Sequence, residues 1–294
     1  MVILHGFNGI VLMKKLLFAT ALFTLCGMIG VISGSCTGRK PSQDSLFADT
    51  LGNDLSEEDS EEQIITDTPM PDAADELFDD FIFNFAANKK LQLSRITFPL
   101  VVTDKSGKKA VDKSKWKMEH FFMRQDYYTL ILDDISQTEL AKDTSVSHAI
   151  VEKIWLERKK VEQYIFDRKN GKWMMTAVNT TDFSTSPNTS FLNFYSQFAV
   201  DTDFQIASVN DPLHFTGPNP DNNLENMDGI LLPEQWPSFA PPLPSKLIYN
   251  IIYGKQTRGS NKKVFIIRGI ANGQESELTF CKKGGKWKLT DLHI

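Results

Sequence analysis

The stretch GKWMMTAV, residues 171–178, is repeated almost unchanged as GKWKLTDL, residues 285–292. Asn170 or Gly284 precedes the glycine, and such pairs supply the positive φ that a tight hairpin turn requires. The residues that follow are rich in β-formers. Each copy therefore predicts a closing β-hairpin, whose tryptophan we expect to pack the sheet on neighbouring helices rather than to bind a ligand.

The similarity extends outward from these hairpins at a spacing of 113 or 114 residues. FIFNFAANKKLQLSRITFPL (81–100) aligns with FYSQFAVDTDFQIASVNDPL (194–213). The identical pairs in these two stretches are Phe81/Phe194, Phe85/Phe198, Ala86/Ala199, Gln92/Gln205, Pro99/Pro212 and Leu100/Leu213. Trp116 and Trp236, each eleven residues before a β-rich run, are a further candidate pair. The pattern predicts two units of similar length.

Each unit begins with an apolar stripe at helical spacing, which is expected to pack a helix on a sheet; the alternative is that it lines a ligand pocket. The stripes are Leu77, Phe78, Phe81, Ile82 and Phe85, then Phe191, Phe194, Tyr195 and Phe198. Asp72 or Asp75 is the expected N-cap of the first helix, and Asn188 lies at the expected start of the second. A short second helix is expected to stop before Pro99 or Pro212.

The first 36 residues predict a secretory leader. Residues 1–12 precede Met13, the expected true start, after which a basic pair and an apolar run lead to Cys36. This signal resembles that of bacterial lipoproteins, whose cysteine is lipidated, although Ser33 replaces the usual aliphatic residue. We expect a lipid anchor on Cys36 in the cell envelope, with plain secretion or an uncleaved anchor as alternatives.

Charge is divided unevenly between the leader region and the body. Residues 41–80 carry 14 Asp/Glu and no Lys/Arg, whereas residues 81–294 carry 28 basic and 23 acidic residues. Residues 37–74 are therefore expected to form an acidic disordered tether, with recruitment of cations or a basic partner as the alternative. The body carries no nucleic-acid footprint. Since no recognised surface-export signal follows the cysteine, we expect the body to face the periplasm.

The order of helix, short helix, Pro-Leu and strands that end in a GKW hairpin resembles the nuclear-transport-factor-2-like (NTF2-like, cystatin-like cone) fold. The pattern F-x3-F-A-x5-Q-x6-P-L in both halves, behind a lipoprotein signal, is similar to a family of uncharacterised bacterial envelope lipoproteins built from two such units. The resemblance implies an α+β fold with tandem NTF2-like domains at 75–182 and 186–294. Each domain would be an N-terminal helix pair packed on a curved antiparallel sheet.

No motif in the sequence identifies a reaction, and we predict no catalytic residue, metal or cofactor. Cys281 stands alone in the body and is expected to be a semi-buried strand residue, so no intrachain disulfide is available. His120, His148, His214 and His293 lack metal-ligand spacing. The resemblance implies a cone in which a carboxylate could be desolvated, and the segments 119–122 and 126–128 contain candidates. Asp291 and His293 share a face of the last strand and are weak pocket candidates, although a solvated edge is the favoured interpretation.

Residues 214–246 are dense in proline and asparagine and predict a long irregular loop. Trp236 and Phe239 lie between its prolines, where they could bind peptides or sugar rings, or could plug their own cone or join the two units. Our main hypothesis is a non-catalytic envelope lipoprotein that binds a peptide, glycan or protein partner. The alternative is an enzyme of the ketosteroid-isomerase or dehydratase type that acts on a small apolar substrate.

Overall fold

The structure is a computed structural model that describes residues 70–219, 221–254 and 259–294. These residues belong to one unit, Leu55–Ile294. The predicted signal peptide with Cys36 and residues 37–69 of the predicted acidic tether lie outside the described residues. Among the helices described, none combines the length and apolar character needed to cross a lipid bilayer.

Helices and strands follow the same order in the two halves: a helix pair, a hairpin and then four strands. The helices are α1 Phe78–Ala87, α2 Lys89–Arg95, α3 Thr189–Phe198, α4 Thr202–Ser208 and the short α5 Trp236–Phe239. The strands are β1 Ile96–Asp104, β2 Gly107–Val111, β3 Tyr127–Leu132, β4 His148–Trp155, β5 Lys160–Lys169, β6 Lys172–Asp182, β7 Val209–Asn219, β8 Asn222–Leu231, β9 Leu247–Tyr253, β10 Lys262–Gly269, β11 Glu275–Lys283 and β12 Lys286–His293. The predicted α+β class is confirmed.

The two closing hairpins form where the sequence predicts them. Asn170 and Gly171 turn β5 into β6 with φ values of 51° and 76°, and Gly284 and Gly285 turn β11 into β12 with φ values of 56° and 81°. All four residues adopt the left-handed region that a two-residue turn needs.

The tryptophan of each hairpin is buried against the first helix of its own half. Trp173 has no exposed surface and its ring centroid lies 4.9 Å from that of Phe78. Trp287 is 6% exposed and lies 5.5 Å from Phe191. Edge-to-face contacts of this kind add to the area buried, so the predicted packing role is confirmed.

The start of the first helix differs from the prediction. Leu77 is its N-cap residue and makes no side-chain cap, so the expected cap by Asp72 or Asp75 is wrong. Asp75 instead accepts hydrogen bonds from Arg95 at 2.8 and 2.6 Å and from the Trp173 backbone N–H at 3.0 Å. Its carboxylate thus ties the chain before α1 to α2 and β6 and is not available to cap the helix.

The twelve strands form one continuous sheet in the order β2-β1-β6-β5-β4-β9-β3-β10-β11-β12-β7-β8. This order is unchanged when it is reversed and each strand is exchanged for its counterpart in the other half, β1 for β7 through β6 for β12. The third strand of each half pairs with the fourth strand of the other half: β3 pairs with β10, and β9 pairs with β4. We expected each half to have its own sheet, whereas the halves share one sheet in which β3 and β9 are exchanged.

The seam between the exchanged strands depends on side chains. β3 and β9 run parallel and are joined in register at Thr129 and Asn250. The Thr129 hydroxyl donates to the Tyr249 carbonyl at 3.1 Å, and the Asn250 amide oxygen accepts from the Ile131 N–H at 2.8 Å. Asn250 also donates to the fully buried Glu152 on β4 at 2.9 Å. Polar side chains therefore replace the ladder bonds that a regular strand pair would form.

Two hydrophobic cores lie on opposite faces of the shared sheet. In β10, Val264 and Ile266 belong to the core that contains α1, and the intervening Phe265 belongs to the core that contains α3. Because successive strand residues point to opposite faces, the helix pairs of the two halves cover opposite sides.

The segment 214–246 is mostly regular, which corrects the prediction of a long irregular loop. Residues up to Asn219 continue β7, and β8 returns beside it as an antiparallel partner at the end of the sheet. A short helical segment follows, and residues 240–246 are the longest stretch without regular structure among the described residues of this segment. A strand at the edge of a sheet tolerates proline and polar residues because its outer side forms no hydrogen bonds to another strand. The alternation of apolar and polar residues that predicts a strand is therefore weak in this part of the sequence.

Candidate functional site

Trp236 and Phe239, the predicted ligand contacts, pack on the protein's own second core. Trp236 has no exposed surface, and its indole N–H donates to the side-chain oxygen of Gln205 at 2.9 Å. The half-buried Phe239 lies 5.4 Å from Phe215 between ring centroids. Both side chains therefore pack within the protein, and the Trp236 ring has no exposed surface that a ligand could contact.

The same tryptophan–glutamine pair occurs in the first half. The Trp116 indole N–H donates to Gln92 at 3.0 Å, and Gln92 donates to the Phe85 carbonyl at 2.9 Å. Gln205 likewise donates to the carbonyl of Phe198 at 2.6 Å. The candidate pairing of the two tryptophans is confirmed, and it ties the segment before β3 or β9 to the two helices of its half.

Asp291 and His293 do not form a pocket. They lie on the side of β12 opposite Leu292, which is buried in the second core. Asp291 accepts a hydrogen bond from its neighbour Thr290 at 2.6 Å, and His293 is exposed. Asp291 is half-buried, and β12 lies between β11 and β7 rather than at a sheet edge, so the solvated edge favoured for the pair is not where the strand lies.

Five polar side chains meet on the first half's face of the sheet, and we call them the Glu119 cluster: Glu119, Lys153, Glu162, Tyr164 and Tyr249. One oxygen of Glu119 accepts from the Lys153 ammonium at 2.8 Å and from the Tyr164 hydroxyl at 3.0 Å. The other accepts from the Tyr249 hydroxyl at 3.2 Å. Tyr249 comes from β9, so the exchanged strand contributes to this cluster.

The Tyr164 hydroxyl lies between two carboxylates, 3.0 Å from an oxygen of Glu119 and 3.0 Å from an oxygen of Glu162. A hydroxyl has one proton to donate, so the second close contact is favourable when Glu162 is itself protonated. Burial raises the pKa of Glu162. Burial also acts to raise the pKa of Glu119, but its bonds to Lys153 and Tyr164 outweigh this and lower it. The pKa of Glu119 is thus lowered and that of Glu162 is raised.

The strand register locates the matching positions in the second half. Lys153 pairs with Glu162 and Tyr249 on its two neighbouring strands, and Ile267 pairs in the same way with Ser276 and Thr129. Leu278 takes the place of Tyr164 two residues further along. Apolar or small residues therefore occupy every position at which the Glu119 cluster carries a charge or a phenol.

A cavity of about 720 Å³ is lined by two of these positions, Ile267 and Ser276. We call it the cavity of the second half, although residues 125–127 of the first half also line it. Its floor and walls are Gln125, Asp126, Tyr127, Ile267, Gly269, Asn272, Gln274, Ser276 and the run 241–247, PPLPSKL. Three of the lining residues are prolines, which fix the backbone of one wall. This volume falls within the range of about 300–1,000 Å³ that is typical of small-molecule sites.

The sequence predicts only part of these two regions. Candidate carboxylates lie in the segments 119–122 and 126–128, but no motif marks Lys153, Glu162 or Tyr249. A comparison of unlike residues at the 114-residue spacing could have found the first two, whereas the exchange of β9 hid the third. Within the described ranges, no three His, Cys, Asp or Glu side chains are grouped closely enough to hold a metal ion.

Comparisons with known proteins relate the chain to one family and one fold. The model of a family described as a domain of unknown function (DUF4348) matches residues 57–293. The crystal structure of an NTF2-like protein from Bacteroides fragilis matches with 35% sequence identity and a TM-score of 0.70, and the match covers 76% of this chain and 98% of that chain. A comparison with curated proteins found no match.

Proposed function

The chain belongs to the DUF4348 family of domains of unknown function, and on this premise we propose that it is a lipid-anchored envelope protein that binds a ligand without transforming it. The NTF2-like fold is shared with the Bacteroides fragilis protein. We further propose that residues 75–182 and 186–294 are tandem NTF2-like units that have exchanged β3 and β9. The proposed binding site is the cavity of the second half.

The cavity carries this proposal because its lining combines apolar surface with a few neutral polar groups. Tyr127, Ile267 and the prolines supply the apolar area, and the side chains of Gln125 and Ser276 supply polar atoms. Small-molecule sites commonly combine apolar surface with a few polar groups that orient the ligand. Asp126 and Lys246 are the charged residues in the lining.

Ligand binding can be tested without knowledge of the ligand, because a molecule that binds only the folded chain raises its melting temperature. We expect fractionated envelope extracts to give a saturable rise for the full chain. Ser276→Trp, which fills the cavity, should abolish this rise. Ser114→Trp, the same change at an exposed position of the first half, should retain it. No saturable rise with any fraction, or an equal rise in both variants, would refute binding in this cavity.

The lipid anchor is proposed from the leader alone and has a separate test. Cys36→Ser is expected to abolish labelling by a fatty-acid analogue and to move the chain from the membrane pellet to the soluble fraction. Cys281→Ser, at a half-buried position on β11, is the matched control and should remain in the pellet. Equal membrane association of both variants would contradict lipid attachment at Cys36.

The Glu119 cluster supports a second candidate function, an enzyme of the ketosteroid-isomerase or dehydratase type. The specific observation is the pair of carboxyls on either side of Tyr164, whose pKa values shift in opposite directions. Such a pair suits one acid and one base. Deuterium exchange into cyclohexanone in D₂O, followed by NMR, is the test. Exchange by the wild type that is no faster than exchange by Glu162→Gln would count against this function.

A further inference from the structure

We propose that the cavity of the second half takes a neutral saccharide of a few rings. This inference rests on the proposed function, because it assigns a chemical class to the ligand of that site. It follows from four properties of the lining: its acceptors, its apolar surfaces, its charge and the absence of an open strand edge.

The first property is a buried acceptor that has no partner. The side-chain oxygen of Gln125 is inaccessible to solvent and accepts no hydrogen bond within the described part of the chain. Its amide nitrogen donates to the Leu247 carbonyl at 3.1 Å, which fixes the side chain across the gap between β3 and β9. A buried acceptor without a partner is unfavourable, so a side-chain movement that turns this oxygen toward the cavity and a ligand hydroxyl would restore its hydrogen bond.

The proline run adds further acceptors and few donors. Pro241, Pro242 and Pro244 have no backbone N–H but keep their carbonyl groups. A ligand rich in hydroxyl groups can donate to these oxygens and also accept from Ser276 and from the amides of the lining. Sugar hydroxyls have this double capacity.

The second property is the apolar surface of the lining, which consists largely of rings. Tyr127 is half-buried, and three proline rings contribute to the same lining. Flat apolar surfaces of this kind match the C–H face of a pyranose ring, while its hydroxyls project toward polar groups. Since the walls are built from prolines and strands, little conformational entropy is lost when they bind a ring.

The third property is the low net charge of the lining, which disfavours strongly ionic ligands. Asp126 and Lys246 offset each other, and the described residues that line the cavity include no arginine. Bidentate arginine is the common partner of carboxylates and phosphates, so a phosphorylated or strongly acidic sugar would lack its usual partner here. A neutral sugar has no such requirement.

Peptides are disfavoured because no strand edge is free beside the cavity. β10 pairs with β3 on one side and with β11 on the other. In the gap between β3 and β9, the carbonyls of Leu247 and Tyr249 already accept bonds from Gln125 and Thr129. An extended peptide that adds as a strand would need these groups.

The experiment uses the full chain in a detergent without a sugar headgroup and titrates it by calorimetry with maltose, cellobiose and di-N-acetylchitobiose. We expect at least one disaccharide to bind with a Kd of about 1 mM or lower. Tyr127→Ala should weaken it at least tenfold through the loss of the ring, and Ser276→Trp should abolish it. Ser114→Trp should bind as the wild type does. Tyr127→Ala still reports on the site if Ser276→Trp fails to fold.

The saccharide proposal is overturned if no disaccharide saturates the chain by about 10 mM, tenfold above that weak Kd. It is also overturned if binding persists unchanged in the folded cavity variants. Saturable binding of the neutral tripeptide Gly-Pro-Gly, lost in Ser276→Trp, with no sugar binding would refute the saccharide class and retain the binding function. If no sugar, tripeptide or envelope fraction binds in a manner sensitive to Ser276→Trp, the proposed function fails as well.

Discussion

Lys153 in the first half and Ile267 in the second half occupy the same place in the strand register, but their surroundings differ. Lys153 donates to Glu119 at 2.8 Å, and its ammonium lies 5.5 Å from the ring centre of Tyr249. Ile267 instead lines a cavity of about 720 Å³. The frame around both positions is conserved within the chain, since each half joins a tryptophan to a helix glutamine.

The same tryptophan–glutamine pair thus accompanies a charged cluster in one half and a cavity in the other. A charge that leaves water must be paired and hydrogen-bonded, so Glu119 requires Lys153 and the two phenols around it. In the first half, these groups hydrogen-bond to Glu119. In the second half, the third residue after the tryptophan is Phe239, which packs on Phe215. Phe239 carries no charge that needs a partner, and Ile267 and Ser276 line the cavity.

The largest expected effect concerns the shared tryptophan frame. Trp236→Ala removes a fully buried indole and leaves the Gln205 oxygen without its donor, so we expect a loss of about 3–5 kcal/mol in the free energy of unfolding. Trp116→Ala is the matched change at a half-buried site and should cost about half as much. Urea unfolding measures both. Equal losses would show that the two frames are equally buried in solution.

The next effect tests the charged site against the open one. Lys153→Met leaves Glu119 without its cation and should cost about 2–3 kcal/mol. This is less than the figure for a fully buried pair, because the Lys153 and Glu119 side chains keep 17% and 21% exposure. Ile267→Met, the matched change in the second half, should cost less than about 1.5 kcal/mol. Adding Glu119→Gln to Lys153→Met should recover part of the loss. No recovery would mean that the unpaired Glu119 carboxylate is not its cause.

The smallest effect is a pair of opposite pH dependences within the Glu119 cluster. Glu162 has a raised pKa, so its favourable contribution is present below the ordinary value of 4.5 and is lost as pH rises through the raised pKa. Glu119 has a lowered pKa, so its contribution is present above 4.5 and is lost as pH falls. Relative to wild type, Glu162→Gln should therefore gain stability with rising pH, and Glu119→Gln should lose it. Urea unfolding at a series of pH values measures both slopes, and slopes of the same sign would contradict the opposite shifts.

The sequence predicted what depends on short-range pattern. The GKW hairpins, the aromatic helix stripes and the short second helices all follow from turn chemistry or spacing along a few residues. The N-cap of α1 was missed because Asp75 has a stronger partner in Arg95, twenty residues away. A cap residue cannot be told from an ion-pair residue without knowledge of tertiary structure.

The sites were harder to predict because they depend on the exchange of β3 and β9. Tyr249 reaches Glu119 across 130 residues, and Gln125 reaches the carbonyl of Leu247 across 122. A strand that pairs within its own half and one that pairs with the other half have the same hydrophobic alternation. The aromatic residues of the proline-rich segment, Trp236 and Phe239, resemble ligand contacts in the sequence, but in the fold they pack on the second core.

The exchange of strands also determines when the sheet can be completed during folding. The bond between Asn250 and Glu152 joins residues 98 positions apart, and that between Thr129 and Tyr249 joins residues 120 positions apart. Contacts of such high sequence separation lose loop-closure entropy before they gain packing energy, and they slow folding. β4 pairs with Leu247–Tyr253 on one side, so a chain whose second half has not yet been made presents that edge of β4 unpaired. The strand exchange therefore leaves an open strand edge on the first half until about residue 253 is available to pair with it.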